Sequence, residues 1–385
     1  MTTSGVPDDE RLTLLLGDGD DAFANADWLS YDVDSNLLTP ADAWSMTVAF
    51  KQGRLPRAAK SGQWVRLAMG ADIIMSGRID DVDSQVTRTA SPITIKGRDV
   101  VGQLLDCSAP IVSEQRLSFA DVVAKLVRPL GVTKITVQGD PPMREKIIIQ
   151  PGESAWDALR HAAESVGLWP WAEPDGSLII GGPDYSAAPV AMLIHRIERP
   201  ENNNVLGVTV SESIARSYSD VTVLGQAHGG GEGLKSSNIR GSYKDPSVTI
   251  YRPKIVVDHQ VENSAQATEM AHKLAMDARL ERWTATVPVR GHRINCPGWP
   301  GHGKPWAAGM RVHLVDEAHR LDGIYYVIGR KFSGGRDKRV TTLQLKEDKA
   351  WIVAVHPHKK RSHRSAGGGE KVWDVSQGAD GVTQQ

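Results

Sequence analysis

GQWVRLAMG (62–70), ADIIMSGRIDDVD (71–83) and PITIKGRD (92–99) are answered, roughly 240 residues further on, by AGMRVHLVDEA (308–318), LDGIYYVIGRKFSGG (321–335) and TTLQLKED (341–348). Each set has a short strand after a glycine, a polar turn, an apolar strand ending in Gly-Arg, a charged loop and an alternating closing strand. The agreement is one of pattern, with little residue identity. It reads as a small antiparallel barrel built twice, closed or nearly closed, because many short strands need protected edges. As a trimer, such a chain presents six similar units around one axis and can match a threefold object to a sixfold one.

Around the first set, residues 11–106 read as strands, with Trp44, Met46, Val48 and Phe50 alternating and Asp80, Asp81 and Asp83 forming a turn. At Ser118 the period changes. Phe119, Val122, Val123, Leu126, Val127 and Leu130 share a helical face, with Asp121 three residues after a capping serine. Strands are expected at Ile135–Val137 and Ile147–Ile149. A second capped helix starts at Ser154 and stops at Gly167, and WPWAEPDGSLIIGG makes a hairpin turning at Asp175-Gly176. Ala227–Tyr243 reads as a surface loop, and residues 264–282 as the longest helix, capped by Asn263 or Ser264. The expected fold is mainly β with α+β: two similar antiparallel β-barrel domains, a small inserted α+β module and a helical excursion. The boundaries are 1–107 for the first barrel, 108–185 for the module, 186–226 with 284–352 for the second barrel, 227–283 for the loop and long-helix insertion, and 353–385 for a flexible polar tail.

Composition sets limits. With 45 basic and 46 acidic residues the net charge is −1, so no global basic excess exists to neutralise nucleic-acid phosphates. Two cysteines, Cys107 and Cys296, cannot make a disulfide framework, and a reducing compartment for assembly is expected. Acidic residues stand where a signal peptide needs basic ones, and no apolar run approaches the roughly 20 residues of a membrane span. The 11 tryptophans against 4 phenylalanines suit either core or interface.

Signals for chemistry are weak. His292, Cys296, His302, His313 and His319 lie close in sequence, and His313 and His319 are separated by five residues, but Cys296 has no second thiolate nearby, so they read as scattered loop and strand residues. GGGEGLKSS (229–237) fails the phosphate-loop pattern because Leu234 separates Gly233 from Lys235. GDGDDAFANAD (17–27) lacks the register of a calcium loop. No G-x-S-x-G, no H-E-x-x-H and no motif-borne carboxylate pair occurs, so the expectation is a protein that is not an enzyme and takes no cofactor or metal. QPGESAWDALRHAA (150–163) resembles the opening of a LysM cell-wall-binding module, with Gly152, Ser154 and Leu159 in fitting places; the hairpin that follows departs from it.

IKGRDVVGQLLDCSA (95–109), LSFADVVAKLVRPLG (117–131), the stretch 147–181 and the stretch 251–292 together resemble, by order and spacing, the baseplate hub (tail protein P) of Mu-type contractile-tailed phages. That family is similar in fold to the spike base of type VI secretion systems. The resemblance implies a structural baseplate hub: a homotrimeric ring of two pseudo-equivalent barrels per subunit. Its implied partners are itself, a hexameric tail tube protein, a trimeric membrane-piercing spike protein and other baseplate proteins. DNA would pass only in transit through a channel, with no stable membrane insertion. Its implied place is the tail baseplate of a virion assembled in the host cytoplasm. Lys359, Lys360, Arg361, Arg364 and Trp373 are a candidate arm docking on the spike or a neighbouring subunit, or a solvated terminus. The alternatives are a peptidoglycan-binding or -cleaving tail protein, and a secretion-system spike base, whose chain would normally continue into a β-helical spike.

Overall fold

The computed structural model describes residues 8–17, 23–25, 28–49, 59–85, 92–110, 118–139, 152–225, 239–258, 261, 263–335, 338–353 and 373–374, without the side chains of 8, 23–25, 49, 165 and 373–374. The first part is all strand: β1 (Leu12–Leu16), β2 (Phe23–Asn25), β3 (Trp28–Asn36), β4 (Ala43–Ala49), β5 (Trp64–Met69), β6 (Asp72–Ser84) and β7 (Pro92–Asp99). A module follows, with α1 (Gly102–Asp106), α2 (Phe119–Val127), β8 (Ile135–Val137), α3 (Ala155–Ser165), β9 (Trp169–Ala172) and β10 (Leu178–Gly181). Then come β11 (Ala191–His195) and β12 (Thr209–Glu212), an excursion of β13 (Asp220–Gly225), β14 (Ile239–Lys244), β15 (Pro253–Val257) and α4 (Ser264–Arg282), and a return through β16 (Trp283–Arg290), β17 (Arg311–Asp316), β18 (Leu321–Gly335) and β19 (Arg339–Glu347). A short β20 (Trp373–Asp374) pairs with β8.

The duplication is one of topology. Neighbouring strands run β3-β4-β7-β6-β5-β1 in the first half and β12-β16-β19-β18-β17-β11 in the second, six strands taken in the same chain order. The halves differ where β1 is antiparallel to β5 while β11 is parallel to β17. Equivalent glycines, Gly62 and Gly309, take positive φ angles of 82° and 88° before β5 and β17. Each donates its N–H across the sheet, to the carbonyl of Ile79 at 2.7 Å and of Val327 at 2.8 Å. One residue later both long strands bulge, β6 at Asp80 and β18 at Ile328. This registration equates Ile79 with Val327. The two Gly-Arg dipeptides are therefore not equivalent: Gly77-Arg78 precedes its anchor and Gly329-Arg330 follows it.

The two antiparallel units, expected as barrels closed or nearly closed, are not closed but share one antiparallel-dominated sheet of 13 strands, with β12 and β2 at the ends of its main path and β11 paired to β17 beside it. The reason is the length of β18. Its first part pairs with β17, and on the same edge its last part, Gly329 to Gly335, pairs with β3 from Asn36 to Ser30. One buried apolar cluster runs through both halves, from Leu12, Leu14 and Val33 to Val287, Phe332 and Leu343.

Capping chemistry sets the helices. The Ser118 and Ser154 hydroxyls accept from the amides of Asp121 and Asp157, and Asn263 Oδ1 accepts from the amide of Gln266. Gly167 takes the left-handed conformation after α3, and Gly176 does so in the β9–β10 turn. The apolar faces of α2 and α3, with Trp156 and Leu159 buried, cover a sheet of β8, β10 and β9.

Several expectations change. Asp80, Asp81 and Asp83 lie inside β6, held there by ladder bonds and by ion pairs from Arg98 and Lys96 on β7. The stretch 239–244 is strand β14 where a loop was expected. Val221 and Val223, grouped by sequence with the second barrel, belong to a separate sheet, β14-β13-β15, which packs on Ala267, Ala271 and Ala275 of α4. Phe50, the strand expected at 147–149, GGGEGLKSS and most of GDGDDAFANAD lie outside the described residues. The alanine row and Gly241 let α4 sit against the sheet: a Cβ on Gly241 would stand 2.1 Å from the amide nitrogen of Thr268. Gly241→Ala is expected to cost about 2 kcal/mol by forcing helix and strand apart, measured by urea denaturation; an unchanged midpoint would show that the contact is loose.

Candidate functional site

The joint between the two halves is tied by buried polar contacts. Arg330, buried on β18, donates from Nη1 to the Val33 carbonyl of β3 at 3.0 Å and from Nη2 to the Ile74 carbonyl of β6 at 3.1 Å. Its guanidinium lies 4.1 Å from the Phe332 ring centroid. Burial lowers the Arg330 pKa to about 10, against the opposing pull of Asp42 and Asp34, so the group stays charged at neutral pH.

Beside it, Tyr31 of β3 meets His292 of the second half at 2.7 Å. His292 Nδ1 is 3.0 Å from Thr341 Oγ1, whose hydroxyl donates to the Gly291 carbonyl at 2.6 Å. With the Thr341 proton committed, its oxygen accepts from Nδ1–H, and Nε2 accepts from the Tyr31 hydroxyl. The imidazole is therefore neutral, and burial, helped by Arg339 and Arg330, depresses its pKa to about 3. A second polar knot, Asp42 and Asp99, holds the β3–β4 turn to the end of β7: the Asp42 amide donates to Asp99 Oδ2 at 3.2 Å. Burial raises both carboxyls, each further raised by a neighbouring carboxylate.

The histidines and cysteine that are close in sequence do not converge. His292 is core. Cys296 is buried with its thiol on the Met192 carbonyl, and His313 faces Asp322 at 2.7 Å. His319 joins a cluster that sequence spacing hides, because its partner His195 is 121 residues from the shared Asp316: the buried carboxylate accepts from both imidazoles. Burial pushes the Asp316 carboxyl up, but those two bonds outweigh it and hold it low. Both histidines turn Nδ1 to the carboxylate, and among the described residues no group of three His, Cys, Asp or Glu side chains is placed to hold a metal.

A cleft of about 410 Å³ opens between β6, β7 and the module. Of its two arginines, Arg98 binds Asp80 at 2.7 Å and Asp106 at 2.5 Å, and Arg78 donates to the Gly62 carbonyl at 2.8 Å. The exposed apolar side chains are aliphatic or tyrosine: Ile250, Tyr251, Ile255 and Val257 lie on and before β15, with Leu224 opposite Val257 on β13. The tryptophans with described side chains are buried or half-buried, which favours core over interface for them. Lys359, Lys360, Arg361 and Arg364 lie outside the described residues; the backbone of Trp373 stands opposite Val137 of β8. After α3 the chain enters β9 within a few residues, and β8 and β10 are parallel, so the second short helix of a LysM module has no place here.

Four family models match the chain in series: a Mu phage baseplate assembly protein GpP-like N-terminal model over 21–99, a baseplate hub protein gp44-like second-domain model over 101–182, a tail protein NMB1110-like third-domain model over 217–275 and a tail protein C-terminal-domain model over 277–350. The tail protein from Neisseria meningitidis MC58 is 32% identical, with a TM-score of 0.73 over 89% of this chain and 97% of that one. The 43 kDa tail protein of prophage MuSo2 from Shewanella oneidensis is 21% identical, with a TM-score of 0.74 over 89% and 99%. The baseplate hub protein gp44 of Escherichia phage Mu is 25% identical over 280 residues, 67% of this chain and 71% of that protein.

Two outcomes are expected at the joint. Arg330→Met leaves the Val33 and Ile74 carbonyls without a donor and should lower stability by about 3 kcal/mol, read from chemical denaturation; a loss below about 1 kcal/mol would remove the arginine from this role. His292 has a folded pKa below its unfolded value of about 6.5, so the unfolded chain binds the extra proton. Its contribution is whole above that pH and shrinks as pH falls toward 3. The stability gap between the wild type and His292→Gln should narrow between pH 7.5 and pH 5; a constant gap would show that the imidazole does not stay neutral in the fold.

Proposed function

This chain belongs to the Mu-type baseplate hub family of phage tail proteins, and on that premise we propose that it forms a homotrimeric ring adapting the sixfold tail tube to the threefold membrane-piercing spike. The duplicated strand order is the observation that supports this reading most directly. Two units of one topology in a subunit give six near-equal faces in a trimer, so the mismatch with a sixfold tube vanishes on one side, while the other side stays threefold. The remaining modules, α1–α3 with β8–β10 and α4 with β13–β15, differ from one another and mark the threefold character.

In this reading the protein is non-enzymatic and needs no cofactor. Its contacts are its own copies, the tail tube, the spike and other baseplate proteins, and DNA passes only in transit through the central channel. Rigid sheets would carry the force of the contracting tail to the spike. The protein would be assembled in the host cytoplasm and reside in the virion's baseplate. No helix among the described residues is long and apolar enough to cross a membrane. The apolar group around Tyr251 and Ile255 is a candidate for burial in such an assembly. The basic tail with Lys359, Lys360, Arg361 and Arg364 is a candidate docking arm, and the pairing of β20 with β8 gives it a base.

Light scattering of the purified chain should give three times 41.8 kDa, and negative-stain images of the same peak should show rings with a central hole and six lobes. A one-chain mass at all concentrations would overturn the ring.

A further inference from the structure

The joint between the halves has an unused counterpart at the two ends of the chain's sheet. By position and neighbours, β3 of the first half corresponds to β12 of the second, and β18 corresponds to β6. Within the chain, β3 pairs with the last part of β18. The other combination, β12 with the last part of β6, is not made. Among the described residues β12 pairs only with β16, and β6 beyond its bulge at Asp80 pairs only with β7. Both edges are open among the described residues, and Asp81, Asp83, Ser84, Thr209, Ser211 and Glu212 are exposed.

We propose that in the trimer β12 of one subunit pairs antiparallel with residues 82–85 of the next, repeating between subunits the seam that β3 and β18 make within one. The register follows from the fold. Val33 and Val210 are equivalent, because Val33 faces Trp44 and Val210 faces Ala285, which in turn face Gly97 and Leu345. Those two face Ile79 and Val327, the equivalent residues before the bulges. Val33 pairs with Phe332, five residues beyond Val327; five beyond Ile79 is Ser84. Val210 therefore stands opposite Ser84, Thr209 opposite Gln85, Ser211 opposite Asp83 and Glu212 opposite Val82.

The chemistry agrees with that register. No two carboxylates face each other directly, and Ser211 can donate to Asp83 as Ser333 donates to Asp32 in the internal seam at 2.6 Å. The charges also guard the edges, since Asp81, Asp83 and Glu212 make either strand a poor template for unrelated pairing. Donor and acceptor edges are different strands, so the contact is heterologous and head-to-tail, the type that closes into a ring. Three seams within chains and three between them then join six units. The inference rests on the trimeric ring proposed above.

Directly opposed residues on antiparallel strands lie roughly 4.5–5.5 Å apart at Cα, within disulfide reach. The Ser84→Cys/Val210→Cys chain, mildly oxidised, should shift on a non-reducing gel from the mass of one chain to those of two and three, and return on reduction. An equal mixture of the two single variants should stop at two chains. Wild type and each single variant alone set the background from Cys107 and Cys296, and Ser84→Cys/Glu212→Cys, two residues out of register, should crosslink far less. A trimer by light scattering with crosslinking no better than these controls would overturn the seam and leave the ring standing. A one-chain mass would overturn the ring, and the seam with it.

Discussion

The pairing of β3 with the second part of β18 is the constraint on which the rest of the architecture hangs. It requires a strand of 15 residues that serves two partners along one edge, β17 and then β3. Because those ladder bonds are made, neither half exposes that pair of edges, and a single apolar core can run through both. Arg330 of the second half can be buried there because the Val33 and Ile74 carbonyls, both of the first half, accept its protons; a buried cation without such partners would cost several kcal/mol. Tyr31 reaches His292 across the same joint, with Gly334 leaving the space that the Tyr31 ring fills. Backbone pairing, a buried charge and a neutral polar chain thus fix the relative placement of the two units.

This placement gives a structural role a physical meaning. Three of the polar groups are satisfied by their neighbours, although the buried Nε of Arg330 has no partner among the described residues. Asp316 is saturated by two imidazoles, Arg98 by two carboxylates, and the His292 chain ends on a backbone carbonyl. Such arrangements hold shape. Open strand edges and an exposed apolar group near β15 are surfaces for assembly instead.

The buried ionisable groups pull stability in opposite directions with pH. His292 favours the fold at neutral pH and above, since its folded pKa is depressed. Asp42 and Asp99, raised by burial, favour it at lower pH, where they keep their protons, and weaken it as pH rises through their folded values. Both sets sit where turns and strands of different segments are tied together, so their balance is felt at the joints and less within any single strand.

Local signals in the sequence determined the local structure. Ser118, Ser154 and Asn263 cap the helices they precede because a short polar side chain there satisfies an otherwise orphaned amide. Gly62 and Gly309 mark the starts of equivalent strands because only glycine takes that φ cheaply. The repeated pattern of strand, turn and long strand was legible for the same reason, and with it the family. What sequence could not decide was which strand edges meet. Period-two alternation says which face is buried and nothing about the neighbour, so the fusion of two barrels into one sheet, and the transfer of Val221 and Val223 to a separate sheet on α4, were decided by pairing across long separations. The Gly-Arg dipeptides mislead for that reason: alike in sequence, they sit on opposite sides of the anchoring residues, and only Arg330 reaches across the joint. His195 joins Asp316 across 121 residues, and Arg330 joins Ile74 across 256, contacts that exist only once the sheet is closed on its core.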